Sequence, residues 1–308
     1  MRAVAEAPGK VIIAGEHFVV HGAWALAAAL ERRVRVAASD SDGLAVISDV
    51  FPVRSPKLAP IRDVVAVMSR EYTFKPNIRL HISSELPQGS GLGSSAATMV
   101  GVVSAVARLR GIRLSTKETI KLSMIGEKVT HGRPSGIDPT VCTMGGAVLF
   151  RPGDSPLRVS LGGARTLLVA YSGRSRSTKR QVSRVSSVKK SFPGLFDGLT
   201  ESISEVSRMA AERLTAGDQK GLGKLLTFNQ AVLATIGVST PETDRLVQAF
   251  LSQGCYGAKL TGAGGGGCVL AVGPKGKEKR ITSSLRARGI ETFQTSVPAA
   301  GVRSWLER

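Results

Sequence analysis

Apolar positions along this chain follow two rhythms, a spacing of two that marks strands and a spacing of three or four that marks helices. Residues 77–83 alternate Ile78, Leu80 and Ile82 with polar neighbours and predict a strand. Residues 11–15 form a short apolar strand behind the turn-like Pro8-Gly9-Lys10, and 23–30, 33–38 and 44–50 predict three more. Ile61, Val64, Val65 and Met68 place a helix over 59–72. A proline-free run rich in Ala, Val and Met predicts a second helix over 96–110, with Ser94 or Ser95 as its N-cap. Ser115-Thr116-Lys117-Glu118 is a capping box that opens a third, running to about 130. Strands at 147–150 and 166–171 flank a Pro/Gly-rich passage, 152–163, which divides the chain into domains 1–162 and 163–308. The second half reads as helical over 199–215, 219–235, 243–253 (opened by Thr240-Pro241) and 276–288, with strands at 269–273 and, last of all, 290–296.

Between the 77–83 strand and the 96–110 helix lies Pro87-Gln88-Gly89-Ser90-Gly91-Leu92-Gly93-Ser94-Ser95-Ala96-Ala97. Alternate glycines let the backbone take positive φ and approach a ligand closely. A helix N-terminus behind them offers unpaired N–H groups and the positive end of the dipole, so strand, glycine loop and helix together form a phosphate cradle. The spacing is neither the Walker pattern nor the Rossmann G-x-G-x-x-G, because Ser94 stands where the last glycine is required. A flexible linker is the plain alternative, but linkers usually carry solvating charge and this stretch has none.

Three other residues stand out. Lys10 opens an apolar strand, where it must reach solvent or an anion. Glu127 follows Ile120 and Met124 on one face of its helix, with His131 one turn on, and needs a partner there: a salt-bridging cation, hydrogen-bond donors, or a hard metal ion such as Mg2+. Asp138 lies in the Gly/Pro/Ser-rich stretch 131–139, as a turn former, a cap or a catalytic carboxylate, and Pro139 biases it toward extended backbone. A second glycine-rich loop, 258–268, lies between strand signals.

Composition narrows the partners. The chain has 308 residues, a net charge of +19 and only 5% aromatics. Its densest basic patch holds Arg174, Arg176, Lys179, Arg180 and Arg184, but no stacking aromatics are interleaved with them, so nucleic acid is not expected as a partner. No apolar run reaches the roughly 18 residues of a membrane span, which predicts no membrane partner. Three widely spaced cysteines, Cys142, Cys255 and Cys268, form no zinc pattern, and the first residues lack an apolar leader. The expected home is the cytoplasm.

Pro8-Gly9-Lys10 with Gly15-Glu16-His17, the 87–97 stretch and Lys259 to Cys268 together resemble the GHMP small-molecule kinases over nearly the whole chain. Glu16-His17-x-Val19-Val20-x-Gly22 and the 131–138 stretch are similar to the branch that acts on mevalonate. The resemblance implies a two-domain α/β fold, the first domain like the second domain of ribosomal protein S5 and the second ferredoxin-like. It implies transfer of the ATP γ-phosphoryl group to the C5 hydroxyl of mevalonate, with Mg2+, by a homodimer. Site roles follow from the same resemblance: ATP phosphates on 87–97, Ser95 and Glu127 as Mg2+ ligands, Asp138 as proton acceptor beside Lys10. Glu16, His17 and Thr178 would meet the acceptor or the transferred phosphate, and Gly262, Ala263, Gly264 and Gly265 would close on the phosphates. Sister kinases acting on phosphomevalonate, the mevalonate 3-hydroxyl, homoserine or galactose remain open alternatives, as does a non-catalytic basic RNA-binding protein.

Overall fold

The computed structural model describes residues 1–307 except Gln88, Gly132, Arg133, 163–165, Ser175, Arg176 and Ala299, and only the backbone of Thr130 and His131. The first half builds a mixed sheet from β1 (Arg2–Ala14), β2 (Ala25–Asp40), β3 (Ala45–Ser48), β4 (Ile78–Ser84), β5 (Ala147–Phe150) and β6 (Leu157–Val159). Four helices pack with it: α1 (Ala59–Glu71), α2 (Ser94–Leu109), α3 (Thr116–His131) and α4 (Ile137–Met144). The contact is close. A Cβ on Gly101 of α2 would lie 2.8 Å from Val36 Cγ2 on β2. The second half adds β7 (Thr166–Tyr171), α5 (Thr178–Ser191), α6 (Pro193–Ala216), α7 (Gln219–Thr235), α8 (Pro241–Ser252), β8 (Gly257–Thr261), β9 (Cys268–Val272), α9 (Glu278–Ala287) and β10 (Thr292–Ser296). Its four strands form an antiparallel sheet in the order β10-β7-β9-β8.

Three sequence expectations need correction. Pro8-Gly9 is not a turn before a strand but the middle of β1, where the register with β2 slips between Pro8 and Lys10. Proline is tolerated at such a bulge because no ladder N–H is needed there. The same slip explains why 23–30 and 33–38 are one strand: Pro8 faces Arg33 while Lys10 faces Ala29, so the polar break at Glu31-Arg32 is a bulge in β2. The 290–296 strand is not the last. The chain returns as β11 (Arg303–Glu307), which pairs antiparallel with β1 in the first sheet, from Arg2 opposite Glu307 to Glu6 opposite Arg303. Arg35 and Arg303 bind Glu6, and Arg2 and Arg35 bind Glu307, so charge holds this edge where apolar alternation is weak.

Candidate active site

The glycine loop leans on β1. Gly89, Gly91 and Gly93 all have positive φ, and Gly93 (φ +79°), not a serine, caps α2. A Cβ on Gly93 would sit 2.7 Å from Lys10 Cγ. Just past the bulge, the Lys10 N–H donates to Leu92 O at 2.8 Å, which ties loop to strand. Ser90 is buried and donates to Pro87 O at 2.6 Å. Ser94 and Ser95 begin α2, and the first α2 hydrogen bond to the cap runs from Ala97 N to Gly93 O. Gln88 lies outside the described residues.

Beneath the loop stand two carboxyl groups. Lys10, 2% exposed, forms an ion pair with Asp138 at 2.9 Å, and Asp138 keeps 30% of its side chain exposed. Asp138 is not extended. It lies in the first turn of α4, behind Gly136 as cap, and Pro139 follows it in that turn. Proline fits there because first-turn N–H groups have no helical partner to lose, and the dipole favours a carboxylate at this end. The second carboxyl, Glu127 on α3, is 3% exposed and accepts a 2.6 Å hydrogen bond from Ser95 Oγ. Burial pushes the Glu127 carboxyl up to about 7, with the Ser95 hydrogen bond and Lys10 pulling it down and Asp138 adding to the rise. The 131–138 stretch joins α3 to α4, but Gly132, Arg133 and the His131 side chain lie outside the described residues.

The second sheet meets the end of β1. Gly15 (φ +101°) and His17 (φ +66°) bracket Glu16 in a tight turn. Glu16, 2% exposed, is ion-paired with Lys259 on β8, itself 0% exposed. Burial pulls the Lys259 ammonium down, and Glu16 holds it up. Thr261 Oγ1 accepts from Ile12 N at 2.8 Å and lies 3.1 Å from Ile12 O. His17 Nε2 meets Ala263 O at 2.9 Å, so the 262–267 loop touches the Glu16 turn directly. The loop's glycines are forced by neighbours: a Cβ on Gly264 would meet Val238 O at 2.3 Å, and one on Gly265 would meet Gln181 Nε2 at 2.1 Å. Gln181 belongs to α5, the basic patch for which the sequence predicted no helix. Ser177 caps α5, and Thr178 opens it, half-buried.

The structure thus brings Lys10, Asp138, Ser95 and Glu127 together, and joins Glu16 and His17 to the 262–267 loop. Thr178 stands at the α5 end whose next turn covers Gly265. Sequence reasoning assigned no role to Lys259, although a lysine inside an apolar strand is the same signal that marked Lys10. A cavity of about 960 Å³ between α8 and the 288–291 turn contains none of these residues.

Three family profiles match the chain: GHMP kinases N terminal domain over residues 60–146, GHMP kinases C terminal over 210–291, and the galactokinase galactose-binding signature over 2–40. The mevalonate kinase of Aeropyrum pernix is 36% identical over 319 residues, covering 97% of each chain. That of Thermococcus sibiricus is 32% identical over 332 residues and covers 98% of each. A solved structure of L. major mevalonate kinase in complex with R-mevalonate has a TM-score of 0.83 at 28% identity, with 96% of each chain covered.

Proposed function

The chain belongs to the GHMP kinase family, and from that premise we propose that it transfers the γ-phosphoryl group of ATP to the C5 hydroxyl of mevalonate, giving 5-phosphomevalonate and ADP. The Lys10–Asp138 pair directly beneath the glycine loop carries this reading. Phosphoryl transfer asks for positioning and charge neutralisation rather than covalent chemistry. Residues 1–162 hold the nucleotide, with the triphosphate on the backbone of 87–97 and the N-terminus of α2. Residues 163–308 close the 262–265 segment over it. Asp138, partly open to solvent, orients the acceptor hydroxyl and takes its proton. Lys10 neutralises charge that develops beside it. Glu16 and His17 hold the acceptor, and Thr178 approaches the transferred phosphate.

The donor set suits Mg2+. The Ser95 hydroxyl and the Glu127 carboxyl are adjacent hard oxygens, and burial is the largest cause of a Glu127 carboxyl raised to about 7, as expected for a carboxylate built to face a cation. Ser95 and Glu127 would hold the ion, which when bound neutralises the β- and γ-phosphates.

The same reading makes the enzyme a cytoplasmic homodimer without nucleic-acid or membrane partners. All three cysteines are buried thiols, and no described helix is long and apolar enough to cross a membrane. Light scattering at low and high salt checks the assembly. The galactose signature over 2–40 spans Glu16 and His17 and supports a second reading, a sugar kinase. One assay separates them: ADP release from Mg·ATP with mevalonate, phosphomevalonate, homoserine and galactose offered separately, followed by 31P NMR of the product. Turnover with mevalonate alone and a 5-phosphate is expected. Turnover with galactose, or phosphate on the 3-hydroxyl, replaces this assignment.

A further inference from the structure

We propose that Lys259 is a positioning residue for the acceptor: reaching across from the second sheet, it grips one oxygen of Glu16 and leaves the other to receive a substrate hydroxyl. This rests on Glu16 holding the acceptor, as read above.

An ammonium has three protons to donate. On Lys259 all three have acceptors within the protein: Glu16 Oε1, Leu260 O at 2.5 Å and Ile12 O at 3.4 Å. Lys259 is 0% exposed and has nothing left to offer a phosphate. Its work is on Glu16. That carboxylate is gripped by Oε1 alone, while Oε2 is buried and has no hydrogen-bond partner among the described residues. A buried acceptor left unmatched is costly, and such orphans call for an explanation. A ligand hydroxyl can supply the donor that this oxygen lacks.

The turn carrying Glu16 is built at a cost as well. His17 holds a positive φ that side chains avoid, and a Cβ on Gly15 would fall 2.5 Å from Ala25. Backbone strain of this kind persists where surrounding contacts enforce it. Here the second sheet enforces it twice, through Lys259 on Glu16 and through Ala263 O on His17. Both clamps come from the strand and loop that close over the phosphates in the proposed mechanism, so acceptor geometry and loop position are set by one element.

The test compares wild type, Lys259→Met and the Glu16→Gln/Lys259→Met double variant, reading kcat, the two KM values and Tm. Lys259→Met should raise the acceptor KM by about 10- to 100-fold, the effect of misplacing a positioning group by around 1 Å. The ATP KM should move less than about threefold. The double variant removes the stranded buried charge, so its Tm should recover toward wild type while the acceptor KM stays high. Recovery of the KM together with Tm, or parallel changes in both KM values, overturns the proposal and leaves Lys259 a structural pin. Should wild type prefer another small alcohol over mevalonate, the functional assignment fails, and the same split is then read with that alcohol. If Lys259→Met is too unstable to assay, the double variant alone decides, since a Tm near wild type with a normal acceptor KM refutes the role.

Discussion

Two lysine–carboxylate pairs flank the same stretch of chain, and they differ in where the carboxylate faces. Lys10 and Lys259 are both buried, but Asp138 is 30% exposed whereas Glu16 is 2% exposed. Lys10 comes from the first sheet and reaches a helix start beneath the glycine loop. Lys259 comes from the second sheet and is saturated by protein acceptors. An open carboxylate can meet a substrate and pass its proton on to solvent, while a sealed one has its position set by the lysine that grips it. The comparison predicts opposite penalties. Lys259→Met strands a buried charge and should cost about 3–5 kcal/mol of stability. Lys10→Met leaves Asp138 hydrated and should cost about 1 kcal/mol, its damage falling on turnover. Urea denaturation of both variants measures this, and equal losses would end the distinction.

Glu127 sharpens the contrast as a third buried carboxyl, one held by the Ser95 hydroxyl. Its proton is kept up to about 7 in the folded state, against 4.5 for an ordinary glutamate. Between those values the folded chain carries a proton that the unfolded chain has lost, so stability falls as pH rises through that window and levels off above it. The full effect is about 3 kcal/mol. Glu127→Gln in metal-free buffer should lack this slope and gain on wild type at pH 8. Parallel pH profiles for the two proteins would refute it. Mg2+ with ATP should raise the Tm of wild type more than that of the variant.

Asp138→Asn tests the open pair itself. It keeps shape and hydrogen bonding but cannot accept the proton, so kcat should fall roughly 10²-fold, about 2.7 kcal/mol, with the ATP KM near wild type and a lower Tm, because buried Lys10 loses its counter-charge. Near-normal turnover would reduce Asp138 to a first-turn carboxylate that steadies the positive end of α4 and pairs with Lys10.

Much of this arrangement is local and was legible. The capping box at Ser115 forms as read, with Ser115 N meeting Glu118 Oε2 at 2.8 Å, and α7 begins and ends at the predicted 219 and 235. Lys10, Glu127 and the glycine loop were singled out because their residue types conflict with their apolar settings. What escaped depends on distant chain. The Pro8-Gly9 step reads as a turn until β2 supplies a bulge to absorb it. Asp138 before Pro139 reads as extended until Gly136 starts a helix around it. β11 carries too little apolar alternation to be seen, because it is held by Glu6, Arg35 and Glu307 across the whole sequence. Lys259 meets Glu16 at a separation of 243 residues, which no local pattern encodes.

The smallest effect on the rate probes how finely the open pair is set. Gly93 has φ +79°, and its missing side chain leaves the space that Lys10 Cγ occupies. Gly111 has a similar φ, +68°, at the far end of α2, with nothing within 4 Å of where a Cβ would stand. Alanine at either site should cost about 1 kcal/mol through backbone strain alone. At Gly93 the methyl group must also push Lys10 aside, so Gly93→Ala should lose up to about 3 kcal/mol and a further factor of about 10 in kcat, since small displacements of a positioned group are felt directly in the rate. Gly111→Ala should keep full turnover. If the two variants behave alike, contact with Gly93 does not place the Lys10 ammonium, and the open pair is held by the Lys10 N–H to Leu92 O bond and by Asp138 alone.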